Sequence, residues 1–449
     1  LLGITPVEGV LMLTILGGEV WLNGVAGEPE IDPIRGISPD VLNIIDALQG
    51  CVQWCRGNDL PVLWVLQHAA EPSPAREASD QDLQLFDQMR NLLPTAKFSN
   101  AAVLMAGLPP AGAADWLDFL TSNAEGMAPV VDVEGLVLAP EGTPEQYLID
   151  ARKRLEWAID SALGLLGPTQ RTTYVDALLE VLVDTRDAQI SLVKETLAVY
   201  AGIEVEQAIP VLNWSNATVY QLLQQVNARL EASAQPSASS GRRNANSDAL
   251  LGLLAEVRRR SDVVARLGLS AAAIQDYLDY GYKAWLDQPD KYAFTVRTLY
   301  HLTTLTRAFA LSTQPPQQLL DYLRQVNSLP DPLGAAATRL AQQASAIRLA
   351  EFFDWSAQEV RECFSRVDPN LQILKNLTQL ALLMRVRELS TASGMDALTI
   401  FLIGHLPEDV DKVAYGEAAE LALLSESGVR APQVQVAGDL AQLVSITCT

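Results

Sequence analysis

A short phrase recurs along this 449-residue chain: an apolar helix, a small or polar residue, an apolar residue, a serine, then a second helix. It stands at Gly268-Leu269-Ser270, Ala310-Leu311-Ser312, Asp354-Trp355-Ser356 and Glu388-Leu389-Ser390, with looser copies at Gly202-Ile203-Glu204 and Gly3-Ile4-Thr5. A repeated supersecondary unit constrains the fold before any site is considered, because each unit buries its apolar face only by stacking on neighbours. It supplies surface and shape rather than a single reactive pocket.

The phrase has a physical reading. Gly268 suits the left-handed position that ends a helix. Ser270 is a preferred N-cap, its hydroxyl accepting from an early N–H of the next helix. Leu269 precedes the cap and Ile274 falls at the fourth helical position, so the two form a hydrophobic staple. Trp355 and Val360 repeat that pair around Ser356, and Glu359 completes a capping box. Asn58, with Val62 and Leu66, is a cousin of the same pattern. Each unit reads as two helices folded back across a stapled corner.

The helices leading into these corners carry apolar residues at steps of three and four. Val41, Ile45, Leu48, Val52 and Cys55 do so, as do Ile190, Val193, Leu197 and Tyr200, then Leu250, Leu254 and Val257, and Leu374, Leu377, Ala381 and Met384. The four clearest caps, at positions 270, 312, 356 and 390, are 42, 44 and 34 residues apart. That drift predicts irregular helical hairpins rather than a strict solenoid. The expected fold class is all-α, with stacked hairpins in two lobes. One small β-hairpin is expected at Val130–Leu138, turning at Glu134-Gly135.

The stretch 233–247, SAQPSASSGRRNANS, lacks an apolar period and reads as a loop or linker. It divides the chain into a first lobe at 1–232 and a second at 248–430, followed by a tail at 431–449. Further helix starts are expected at Thr5-Pro6-Val7-Glu8, Ile37-Ser38-Pro39-Asp40 and Thr143-Pro144-Glu145-Gln146, with a loop from Gly24 to Pro33. The chain opens at what reads as the corner of a unit whose first helix is missing, so a fragment of a longer polypeptide is expected.

Charge and chemistry narrow the function. The net charge of −22 opposes generic nucleic-acid binding, where basic patches dominate affinity. Arg258-Arg259-Arg260 reads as solvated or ion-paired surface. Cys51 and Cys55 sit four apart on a helix and, with Cys363 and Cys448, read as packing rather than a disulfide or metal framework. His68, His301 and His405 fall in separate units. Phosphate-loop, dinucleotide, zinc-protease and nucleophile-elbow motifs are absent from the sequence. Asp132, Glu134 and Gly135 read as a turn rather than a calcium loop. The tryptophans read as core. No catalytic residue, metal site or cofactor is expected, and the residues singled out are structural: Leu269, Ser270, Ile274, Trp355, Ser356, Glu359 and Val360.

Two further segments accompany the corners. Asp-Tyr-Leu recurs in the second helices, at Asp276-Tyr277-Leu278 and Asp321-Tyr322-Leu323. A long helix from Ala188 leads through Tyr200-Ala201-Gly202-Ile203 to Val211-Leu212-Asn213-Trp214. Together with the opening Leu2-Gly3-Ile4-Thr5-Pro6-Val7-Glu8-Gly9, these resemble the α-helical shell of the A subunit of bacterial Tc (toxin complex) insecticidal toxins. The resemblance spans most of the chain. It implies a homopentameric parent protein whose shell encloses a translocation channel, with toxin B and C subunits engaged through parts outside this chain. It also implies a host receptor or glycan as partner, a secreted or cell-surface location, and no membrane insertion by this segment. A pH response through the acidic surface is expected. The alternative reading is an α-solenoid adaptor that binds a helical peptide, unrelated to toxins.

Overall fold

The computed structural model describes residues 2–26, 41–70, 77–112, 114–122, 126–138, 144–234, 240–368 and 371–404. The expected start at Ser38, the cap at Thr143, His405, Cys448 and the tail 431–449 lie outside the described residues. Among the described residues the regular structure is helical, so the fold is all-α. At the expected β-hairpin, Val131 and Val137 form a single antiparallel bridge without extending into strands. Leu138 N–H donates to the Val130 carbonyl, closing the loop.

The chain forms two compact units, one from Leu1–Ala70 with Gln275–Thr449 and the other from Glu71–Ile274. The first unit begins with α1 (Pro6–Ala26), α2 (Val41–Gly57) and α3 (Val62–Ala69). Helix α1 runs through the expected loop start at Gly24 and is interrupted at Gly18, where φ is 60°. Met12 and Leu13 pack with Ile44, Leu48, Val52 and Leu66. The buried stripe of α2 therefore uses Ile44, while Ile45 is exposed. Leu48, Val52 and Cys55 are buried as expected, so the stripe departs only at Ile45.

The second unit holds α4 (Asp80–Ala96), α5 (Asn100–Met105), α6 (Trp116–Thr121), α7 (Pro144–Leu163), α8 (Pro168–Ala201), α9 (Val205–Trp214), α10 (Val219–Ala234) and α11 (Ser240–Leu267). Helix α8, 34 residues and so about 50 Å long, is its axis, packed by α4, α5, α7, α9, α10 and α11. Neighbours on several sides explain why apolar residues ring α8 rather than forming one stripe.

The stretch 233–247 does not separate the two units. Helices α10 and α11, which flank it, pack on each other inside the second unit. Helix α11 already begins at Ser240. Low apolar content signalled a linker, but Ala and Arg tolerate a helix well, and this one leads into the buried stripe of Leu250, Leu254 and Val257.

The chain then passes α12 (Ala271–Asp276), a π-helical turn at Tyr277–Gly281 and α13 (Tyr282–Ala284). The first unit is completed by α14 (Val296–Ala310), α15 (Pro316–Asn327), α16 (Ala335–Phe353), α17 (Ala357–Val367), α18 (Leu377–Ser393) and α19 (Ala397–Ile403). Successive helices pair: α15 on α16, α16 on α17, α17 on α18 and α18 on α19, with α14 against α3 and α18. This is the expected chain of irregular hairpins.

Candidate functional site

The repeated corner has one backbone solution. Gly268 has φ 63°, and Leu269 N–H reaches back to the Val264 carbonyl. Gly202 (φ 65°) with Ile203 N–H to Ala198, and Asp354 (φ 48°) with Trp355 N–H to Ala350, repeat it. This 6→1 bond is the Schellman closure, which satisfies a carbonyl that the helix end leaves open. Ser270 Oγ then accepts from Ala273 N–H at 3.2 Å, and Ser356 Oγ accepts from Gln358 N–H at 3.2 Å. Leu269, Ile274 and Val360 are buried and Trp355 is half-buried. Gln207 adds a bond from Nε2 to the Leu269 carbonyl at 2.8 Å. Thr5 and Glu8 close a reciprocal box at 2.7 and 3.2 Å.

Several corners depart from expectation. Glu359 does not box Ser356: its Oε2 accepts from Ala397 N–H, at the start of α19, at 2.6 Å. Ser356 bonds the second helical N–H, and the carboxylate goes instead to an open helix end. Burial raises the Glu359 pKa, with the Ala397 bond opposing and Asp396 and Glu362 adding to the rise. Ser312 is not an N-cap. Its Oγ accepts from Gln314 N–H and donates to the Phe352 carbonyl, and α15 starts only at Pro316. Glu388-Leu389-Ser390 lies inside α18. The true corner there is six residues on: Gly394 has φ 75°, Met395 is buried, and Asp396 Oδ1 accepts from Thr399 N–H at 2.7 Å. Likewise Asp59 (φ 53°), not Asn58, turns the chain after α2, and Leu60 N–H reaches Cys55.

The Asp-Tyr-Leu copies share a role. Tyr277 and Tyr322 are both buried. Their hydroxyls donate to carbonyls further along the chain, Tyr277 to Lys291 at 3.1 Å and Tyr322 to Leu374 at 2.8 Å. Neither copy ends its helix: the first continues as the π turn and the second lies within α15. Arg324 bonds Asp276 and, at 3.2 Å, Asp321, so one guanidinium ties the two copies together.

In the second unit, Asp82 is buried at the start of α4, where it boxes Ser79. Tyr200 donates its hydroxyl to Asp82 Oδ1 at 2.6 Å, and Arg258 lies 3.8 Å from Oδ2. Burial alone would raise the Asp82 pKa, but the bonds from Tyr200 and Ser79 with the Arg258 charge outweigh it and lower the pKa. Arg258, Arg259 and Arg260 are ion-paired, but only the first two keep contact with solvent: Arg260 is 3% exposed, over the Trp214 ring and 3.5 Å from Glu256. Gln189 pins the β-turn to α8, accepting from Val137 N–H and donating to the carbonyls of Ala96 and Gly135. Asp132 Oδ1 accepts from Glu134 and Leu136 N–H, each at 2.9 Å, so its carboxylate builds the turn.

Cys51, Cys55 and Cys363 are free thiols, and burial pushes Cys363 up to about 12. His301 is buried, and burial with the nearby Arg297 charge lowers its pKa to about 4. Trp116, Trp214 and Trp285 are fully buried, as core tryptophans should be.

Sequence reasoning missed one concave feature. In the first unit, α14, α18 and the end of α2 enclose a cleft of about 620 Å³. Trp54 and Tyr300 form one wall, with ring centroids 5.9 Å apart and tilted by 57°. The Trp54 indole N–H donates to Thr303 Oγ1 at 2.9 Å. Arg307 donates to Glu388 Oε1 at 2.6 Å across the cleft. The signal was present in Ala381, which steps with Leu377 and Met384 yet is only a methyl, leaving space where a core residue would fill it.

Among the described residues no group of three or more His, Cys, Asp and Glu side chains is placed to hold a metal ion. No helix among them is long and apolar enough to cross a membrane. No protein-family model and no curated protein matches the chain.

Proposed function

We propose that this chain is a structural shell segment of a Tc-toxin A subunit, the host-binding and translocation component of a bacterial insecticidal toxin complex. The observation that carries the reading is the coupling of two repeated elements in the first unit. Stapled corners set the hairpins, and the paired Asp-Tyr-Leu motifs, joined through Arg324, lock one hairpin to the next. Such cross-ties suit a wall that bears load. The resemblance in the opening segment and in 188–214 supports the same assignment.

In this role the chain works mechanically and catalyses no reaction. It holds its shape while other parts of a homopentameric, secreted or surface-bound parent bind the B and C subunits, contact the host receptor or glycan and enter the membrane. Native mass spectrometry of the full-length parent tests the proposal. A fivefold assembly is expected, and a monomer that captures a helical peptide would favour the adaptor reading.

A further inference from the structure

The cleft between α14, α18 and α2 has a use that the shell role does not require. Its size falls in the range of small-ligand pockets, roughly 300–1,000 Å³. Helix α18 presents Thr378, Ala381, Arg385, Glu388 and Ala392 along one stripe. Ala381 lies one turn before Arg385 on this stripe and Glu388 one turn after it, so the small alanine side chain leaves room on one side of the guanidinium.

Arg385 makes no hydrogen bond or ion pair among the described residues, although it is half-buried. Arg307, the other lining cation, is already neutralised by Glu388. The lining thus carries two arginines against one glutamate, an excess of one positive charge, in a chain whose net charge is −22. A partly desolvated guanidinium without a partner is the natural seat of a carboxylate, which it grips through two parallel N–H bonds. A dianion would overmatch the single spare charge and meet Glu388.

The opposite chemistry lies on the aromatic wall. Trp54 has its N–H committed to Thr303 and so offers ring surface rather than a donor. Tyr300 is 42% exposed. Flat ring bodies stack on such surfaces, and guanidinium and aromatic groups together hold a ring that bears an acid.

We propose that this cleft binds a small organic monoanion, with its carboxylate on Arg385 and its ring against Trp54 and Tyr300. Two sources share that chemistry: an acidic sugar, whose C–H face stacks on aromatic rings, and an aryl carboxylate. The site is independent of the shell assignment, because it depends only on side chains within the first unit.

The test labels the eight tryptophans with 5-fluorotryptophan and follows the Trp54 signal by ¹⁹F NMR. The Trp54→Phe variant identifies that signal. Glucuronate, benzoate, inorganic phosphate and benzyl alcohol are titrated separately. Saturable movement of the Trp54 signal with glucuronate or benzoate is expected, and which of the two binds tighter names the source. Arg385→Gln should weaken binding about tenfold to a hundredfold, the loss of a charge-assisted pair. Arg385→Lys keeps the charge but loses the two-pronged grip, so its affinity should fall between those of the parent and Arg385→Gln, and a ligand-free fluorine spectrum like the parent's guards against a folding artefact. Absence of saturation by either acid to about 10 mM would overturn the proposal, since that is weaker than even a millimolar site. So would binding unchanged in Arg385→Gln, or benzyl alcohol binding as tightly as benzoate.

Discussion

Arg324 Nη2 lies 2.7 Å from one carboxylate oxygen of Asp276 and 2.9 Å from the other, and Nη1 of the same guanidinium reaches Asp321 at 3.2 Å. Asp276 is 4% exposed, whereas Arg324 is about half exposed. The two partners report different balances. The pair raises the Arg324 pKa, yet burial, opposed by Arg324, still leaves the Asp276 pKa above its usual value. Desolvation of the aspartate is thus the larger effect, and Arg324 makes its burial tolerable.

Arg324→Ala should therefore cost about 1–3 kcal/mol at neutral pH, below the full penalty for breaking a buried pair because the arginine is partly solvated. The sign with pH follows from the raised Asp276 pKa. Without Arg324 that pKa rises further, so the deficit is absent below the unfolded value and grows as pH climbs through the folded one. Urea unfolding at pH 7 and near pH 4 checks this: the gap between variant and parent should shrink on acidification.

Glu359 links α17 to the first turn of α19, and its pKa is raised chiefly by burial. Glu359→Ala should lower stability by about 1 kcal/mol, the value of a capping bond. Glu359→Gln keeps an acceptor and removes a buried charge. It should match the parent below the unfolded glutamate pKa and gain on it as pH rises through the folded one. Amide exchange at Ala397 reports the bond, and protection unchanged in Glu359→Ala would contradict it.

The corner glycines separate strain from space. A methyl at Gly202 or Gly268 meets nothing within 4 Å, but both residues have positive φ. Alanine at either should cost about 1–2 kcal/mol through backbone strain alone. Gly50 and Gly252 sit in helices with equally open surroundings, so alanine there should stabilise by about 0.5–1 kcal/mol. Gly135 combines φ 80° with a methyl position 2.6 Å from the Phe98 carbonyl oxygen, so Gly135→Ala should be the most damaging of the five. Thermal unfolding of the variants gives the order.

His301 stays neutral in the folded chain down to about pH 4, whereas an unfolded histidine takes up a proton near pH 6.5. The unfolded state then binds more protons in that window, so stability falls as pH drops from about 6.5 to about 4, by roughly 3 kcal/mol at most. His301→Gln should flatten that part of the profile. An unchanged slope in urea unfolding would remove His301 as its source.

Legibility in the sequence tracks how local each interaction is. Gly268-Leu269-Ser270 was readable because the left-handed residue, the buried residue and the cap all lie within one turn of chain. Glu388-Leu389-Ser390 misled because Leu-Ser also suits a helix interior: Ser390 lies within α18, its carbonyl accepts from Gly394 N–H, and the real corner follows at Gly394. Spacing alone puts Glu359 in a capping box, whereas its partner, Ala397, is 38 residues away.

Gln189 carried no signal, and although Tyr200 and Arg258 stood out, their pairing with Asp82 did not, since these partners are defined only once α8 and α11 have packed. The unit boundaries were hidden differently. Composition marks 233–247, but the chain leaves the first unit after Ala70, where Pro72 and Pro74 follow in sequence, and re-enters it at Gln275 within α12. The cleft left only a faint mark, the small Ala381 on the stripe of Leu377 and Met384, because a small side chain makes no motif.

The most direct test of the shell assignment is negative-stain imaging of the full-length parent protein. Five-fold, bell-shaped particles with a central stalk are expected if the chain forms part of such a wall. Monomeric curved rods would contradict it and make the chain an adaptor for a peptide partner.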